Sequence, residues 1–245
     1  MDLYSFAPIA AILDLAYAGV TALSTLVAPF AGDAAAALAV VLLTLIVRTG
    51  LIPVGISQVR AEFTRRRIAP QLQELQRRYK KRPDVLQEKM MQLYRDENTS
   101  PLAGCLPVLI QAPVVGVLYT LFLHTTIAGH PNALLDETLL GVPLGSTLLA
   151  SLSRGDTAGV LVCAAIVVII ALVGEITRRA FRVSPVAGDV ALPAAAGGLI
   201  GALQFVTAVV AAFVPLAAGL YLVVTVTWTL GQRLVLRRIY PAPRT

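Results

Sequence analysis

The sequence predicts an all-α polytopic membrane protein: five transmembrane helices, N-terminus outside and C-terminus in the cytoplasm, an outer interfacial amphipathic helix and a cytoplasmic antiparallel helical hairpin. Three observations lead there. Hydrophobic residues make up 57% of the 245 and charged residues only 14%, where soluble domains carry about 25% charged residues. Apolar runs long enough for a bilayer crossing recur, each crossing needing about 20 residues as helix. The basic residues are clustered, with 11 of the 20 Lys and Arg in residues 60–97, three in 178–182 and four in 233–244.

The clustering sets the topology. Lys- and Arg-rich segments stay in the cytoplasm, which places all three clusters inside, with two spans between each and the next. The stretches 1–33 and 130–156 hold six acidic residues against Arg154 alone, and both go outside. Residues 1–33 carry a helical rhythm in Ile9, Ile12, Leu13, Ala16, Tyr17 and Val20. Such a segment either spans the bilayer or lies along its surface. A span would leave the N-terminus inside with no basic residue to hold it, so the outer interfacial helix is favoured and six spans is the alternative. Asp2 stands where the positive region of a signal peptide would be.

The first span is expected at 34–57, with Pro53 able to kink its end. Residues 58–100 are polar and helical. Ile68, Leu72, Leu75 and Tyr79, then Leu86, Met90 and Leu93, repeat at steps of three and four. Pro83 breaks the helix between the two sets, which gives two helices zipped by short apolar seams. The second span, 101–124, has no charge before His124, but Pro107, Gln111 and Pro113 lie within it. Such residues need neighbouring helices or water to satisfy freed backbone groups. Residues 125–156 form an external loop with a short helix near 133–140. The third span is 157–174, stopped by Glu175, Arg178, Arg179 and Arg182, and 175–192 is a cytoplasmic loop. Residues 190–232 carry no charge. As one helix they would rise about 65 Å, twice the hydrocarbon core, so they are two spans, 193–213 and 215–234, broken at Pro215. Residues 235–245 are a short basic cytoplasmic tail. Cys105 and Cys163 read as small buried apolar residues.

Arg48 stands inside the first span. A charge at the bilayer centre costs about 2.5–3.5 kcal/mol on insertion scales. It is met by a wet cavity or a polar partner, or avoided by snorkelling, since Arg48 lies toward the cytoplasmic end. Thr44 is one turn away on the same face.

An arginine in the first core span, a basic hairpin, and then EKMMQLYRDENTSPLAGCLPVLIQAPVVGVLY resemble the YidC-type membrane protein insertases, relatives of the mitochondrial and chloroplast insertases. Residues 100–113, SPLAGCLPVLIQAP, carry the most specific part, and the resemblance covers about 1–240. It implies a short form without an extra N-terminal span or a large external domain. By the resemblance Arg48 is the groove arginine and Thr44 a groove polar residue. Pro215, Leu220 and Tyr221 fall on a last-span pattern that usually reads P-x-G-L-x-L-Y; here it is PLAAGLY, with the glycine displaced to Gly219. The Ser-Asn that often follows is Thr225-Val226, a less polar lining.

The expected function is a bacterial cell-membrane insertase and chaperone without a cofactor. Its wet, positive groove would be lined by Arg48, Thr44, Gln111, Gln204, Tyr221 and Thr225. Nascent membrane proteins are the expected substrates. The basic surface of Arg65, Arg66, Arg77, Arg78, Lys80, Lys81 and Arg82 would meet cytoplasmic partners (ribosome, signal-recognition receptor, Sec translocon) and anionic lipids, and no nucleic acid is expected as a direct substrate. The rival is a transporter or channel using Arg48 as an anion site. Against it, no Asp or Glu lies centrally in a span and no inverted repeat is evident. An enzyme is disfavoured: the sequence offers no nucleophile–base set, metal cluster or phosphate loop.

Overall fold

The computed structural model describes residues 7–97, 116–117, 120–122, 124, 126–127, 130–181 and 205–239. Helix α1 (Ala7–Ala31) runs into a one-turn 3-10 helix (Gly32–Ala34) and then α2 (Ala35–Gly50). Gly32 has φ +53°, which only glycine adopts without strain, and there the chain reverses. α1 then lies along α2, burying Leu13 and Val20 against Ala36, Ala37, Ala39 and Val40. The alanines of α2 allow close approach. Leu15, Leu26 and Phe30 point away from the protein.

The expected first span is two helices in series. α2 ends at Leu51 and α3 (Ile52–Tyr79) starts at once. Pro53 is the cause, because it has no N–H for the Thr49 carbonyl. The ladder resumes where Gly55 N–H donates to Leu51 O at 3.1 Å. α3 continues unbroken into the basic segment. A turn at 80–82 leads to α4 (Pro83–Asp96), with Pro83 in its first turn. α3 and α4 pack together, Ile68 and Leu72 are fully buried, and an Arg67–Glu97 ion pair joins the two arms.

Residues 126–147 hold more structure than a plain loop. Two antiparallel ladders form, β1 (Thr126–Ile127) with β2 (His130–Pro131) and β3 (Thr138–Leu139) with β4 (Val142–Pro143). The helix expected near 133–140 is a single 3-10 turn at Ala133–Leu135. The longer helix, α5 (Leu148–Arg154), follows the ladders. Its Thr147 accepts from Ala150 N–H at 3.1 Å, a helix-start bond. Buried Asn132 donates to the carbonyls of Leu121 and His124, which satisfies backbone groups where helix gives way to ladder.

α6 (Thr157–Ala180) is capped by Asp156, whose Oδ1 accepts from Gly159 N–H at 3.0 Å. The expected stop at 174 ends the apolar run but not the helix. Glu175 pairs with Arg178 and Arg179 one turn on, at 2.7 and 2.6 Å, so these charges support helix instead of breaking it. α7 (Val206–Ala211) and α8 (Leu216–Ile239) flank the break at Pro215. α8 runs past the expected end at 234 into the basic tail, where Arg237 lies 4.1 Å over the ring of buried Phe181 at the end of α6. Among the described residues three helical stretches are long and apolar enough to cross a membrane: Ala11–Gly50, Thr157–Ala180 and Leu216–Ile239. The second and fourth expected spans lie mostly outside the described residues.

Candidate functional site

α8 is the hub. It packs on α6 along one side and on α2 and the start of α3 along the other. Its first turn is fastened to the segment before α5. The N–H groups of Leu216 and Ala217 donate to the carbonyls of Ser146 and Leu144 at 2.8 and 3.1 Å. These first-turn donors have no partner within their own helix. Leu144, Leu216 and Ala217 are fully buried around them.

Down the α2-facing side of α8 run Tyr221, Thr225, Trp228 and Gln232, at steps of four, three and four, so they share one helix face. Tyr221 is buried, and Arg48 in the last turn of α2 interacts with it. Arg48 is half-buried, and no carboxylate among the described residues pairs with it. Its described neighbour is thus a phenol, not a carboxylate.

Thr44 is buried, and its hydroxyl donates to Val40 O at 2.7 Å. It packs in the core with its polar atom satisfied within α2. Thr225 behaves differently. Among the described residues three buried polar side-chain atoms lack a partner: Thr225 Oγ1, Trp228 Nε1 and Gln232 Nε2. All three lie on this one face. Gln232 rests on Gly55 of α3, where a Cβ would fall 1.9 Å from Nε2, so only glycine leaves the amide its seat. Gln111 and Gln204 lie outside the described residues. Of the residues on this face the sequence reading names Tyr221 and Thr225, and it does not name Trp228, Gln232 or Gly55. The available signal was the spacing from Tyr221, which reaches the chain's sole Trp and then a Gln before the first charge at Arg233.

On the hairpin, Arg77, Arg78, Lys80, Lys81 and Arg82 are exposed at the far end of α3 and the turn. Arg77 bonds Glu74 at 3.1 Å, and Arg78 sits 5.9 Å from the Tyr79 ring. Arg65 and Arg66 are on α3 nearer the membrane-spanning helices.

A sequence profile of the family described as 60Kd inner membrane protein matches residues 27–243. The chain belongs to that family. It is therefore a bacterial inner-membrane protein. Among its relatives, a membrane protein insertase YidC of Streptomyces avermitilis is 27% identical over 223 residues, covering 84% of this chain and 52% of the relative. One of Clostridium perfringens is 44% identical over 85 residues, 35% of this chain and 36% of the relative. One of Aquifex aeolicus is 38% identical over 88 residues, 36% of this chain and 18% of the relative. These matches span about half or less of each relative's length.

Proposed function

We propose that this protein is a membrane protein insertase. It takes polar or acidic segments of nascent membrane proteins into a hydrophilic, positively charged groove between α2 and α8 and releases their apolar segments into lipid. Arg48 carries the reading: a half-buried guanidinium on a membrane-spanning helix with a phenol, not a carboxylate, as its described partner. A positive, hydrated site part-way into the bilayer lowers the cost of bringing a polar tail there. Burial of the substrate's apolar segment in lipid drives the step at about 25 cal/mol per Å². No covalent chemistry or cofactor is needed. The relatives named membrane protein insertase support the same reading. Thr225 and Tyr221 belong to the groove face, and Gln111 and Gln204 are proposed to complete it from the second and fourth of five spans. The N-terminus is outside in this scheme, with the hairpin in the cytoplasm. There Arg65, Arg66, Arg77, Arg78, Lys80, Lys81 and Arg82 meet targeting partners or anionic headgroups, the latter worth about 1 kcal/mol per basic residue near the surface.

The test is Arg48→Ala against Arg48→Lys in a strain depleted of its own insertase, scored by substrate insertion. Arg48→Ala slows insertion of substrates with acidic external tails and Arg48→Lys restores most of it. Normal insertion of every substrate by both variants sinks the electrostatic role. A cysteine at position 5, in a background lacking Cys105 and Cys163, is labelled by an impermeant reagent from outside. Labelling from the cytoplasm alone reverses the topology.

A further inference from the structure

The insertase reading leaves open how a polypeptide is held, and the face of α8 supplies a specific answer that rests on that reading. We propose that Trp228 and Gln232, with Thr225 beside them, form a ladder of donors that pairs with main-chain carbonyls of a segment held extended along α8, at the seam between α8 and α3.

Three observations converge. The first is chemical. The indole Nε1–H and the amide Nε2–H are donors, and both are unpaired. Unpaired donors favour a ligand that presents acceptors, and the commonest uncharged acceptor on a polypeptide is its carbonyl. The second is metric. Four residues of helix separate Trp228 from Gln232, about 6 Å of rise. On one edge of an extended chain, carbonyls recur every second residue, about 6.6 Å apart. A helical segment gains nothing here, because its carbonyls are already bonded within the helix. The third is packing. The Gln232 amide is seated directly on buried Gly55, where a Cβ would push the amide tip aside. The seam is thus closed over donors that have nothing to bond. Parting α8 from α3 brings them to an acceptor, and the resting seam is poised to open toward a polypeptide backbone.

Trp228 is the chain's one tryptophan, so its emission reports on the site without a label. The full chain is placed in phosphatidylglycerol/phosphatidylethanolamine nanodiscs. It is titrated with an unstructured twelve-residue Ala/Val/Ser peptide and with a counterpart whose alternate amide links are esters, which accept hydrogen bonds more weakly. Empty nanodiscs correct for partitioning. A saturable red shift is expected with the amide peptide, with about fivefold weaker binding for the ester peptide, the worth of one typical hydrogen bond. Gln232→Met, close in size, weakens the amide peptide by a similar factor. No saturable shift, equal binding of the two peptides, or wild-type binding by Gln232→Met overturns the proposal. Insertion assays of Trp228→Phe and Gln232→Met beside Arg48→Ala separate it from the insertase reading. If only Arg48→Ala is defective, the ladder is wrong and the groove stands. If only the α8 variants are defective, the ladder stands and the electrostatic role falls.

Discussion

Gly219 offers the sharpest test of how α8 is held. It lies on α8 where that helix crosses α6, and a Cβ built there falls 2.9 Å from Ile166 Cγ2. Carbon–carbon contact is comfortable at about 3.5–4.0 Å, so Gly219→Ala must open the helix pair by roughly half an ångström or move Ile166. The methyl it strikes sits directly on the branched Cβ of Ile166. It cannot swing aside without a χ1 change that the helix disfavours. Overpacking of this kind costs about 1–3 kcal/mol. Against it, alanine gains about 1 kcal/mol over glycine in helix propensity. The net expectation is about 1 kcal/mol of destabilisation, or roughly 2–4 °C in melting temperature for a chain of this size. Ile166→Leu moves the branch one carbon outward and vacates the space. In that background Gly219→Ala becomes neutral or stabilising, and the pair shows a coupling of about 1 kcal/mol, of the size expected for residues in contact. The assay is denaturant or thermal unfolding in micelles, followed by Trp228 emission. Gly219→Ala that raises stability by about 1 kcal/mol on its own, or effects that simply add, would falsify the close α6–α8 crossing.

Two further outcomes follow from the same packing. Asp156→Ala removes the cap that accepts from Gly159 N–H and lowers stability by about 0.5–2 kcal/mol, while Asp156→Asn, which keeps an acceptor, stays near wild type; melting of the two variants side by side decides it. In the hairpin, Ile68→Ala, at a fully buried site, opens the α3–α4 pair at a cost of about 2–5 kcal/mol. Arg67→Ala breaks only a surface pair worth about 1 kcal/mol or less. Limited proteolysis of the nanodisc-embedded protein cuts the first readily and the second scarcely more than wild type.

Features written as local periodicity were legible in the sequence. Spacing and proline chemistry point to the burial of Ile68 and Leu72, to a helix that starts at Pro83 and to separate helices on either side of Pro215. Features that depend on long-range pairing were not. The ladders at 126–143 are built from two-residue strands, too short to alternate visibly. That the helix continues past the apolar run of the third span is less visible, because it depends on the spacing of Glu175, Arg178 and Arg179, which pairs them on one helix face. Thr44 was legible as polar but not as satisfied, since whether a threonine bonds its own helix or faces outward is decided by its rotamer. The role of Gly219 is intermediate. The sequence shows a glycine displaced within a pattern, and only the crossing with Ile166 gives the reason.

The two ends of α8 are held in opposite ways, and this sets how the helix can move. At Leu216 and Ala217 the orphan N–H groups are paired with Ser146 and Leu144 and the side chains are fully buried. Moving that end would break two backbone hydrogen bonds and expose core. Toward Gln232 the contact with α3 rests on a side chain over a glycine, and the polar atoms at Thr225, Trp228 and Gln232 have no partners to lose. Burying such atoms unpaired costs about 1–3 kcal/mol each, so parting the seam there gives up little polar interaction and gains wherever water or a peptide carbonyl can enter. Resistance at the hairpin end comes instead from Arg237 over Phe181, which ties α8 to α6 rather than to α3. Separation therefore starts between α8 and α3, beside the hairpin, and is stopped at the 144–146 strap. Under the proposed insertase function, the same asymmetry would let a polypeptide enter from the hairpin side while the strapped end of α8 holds.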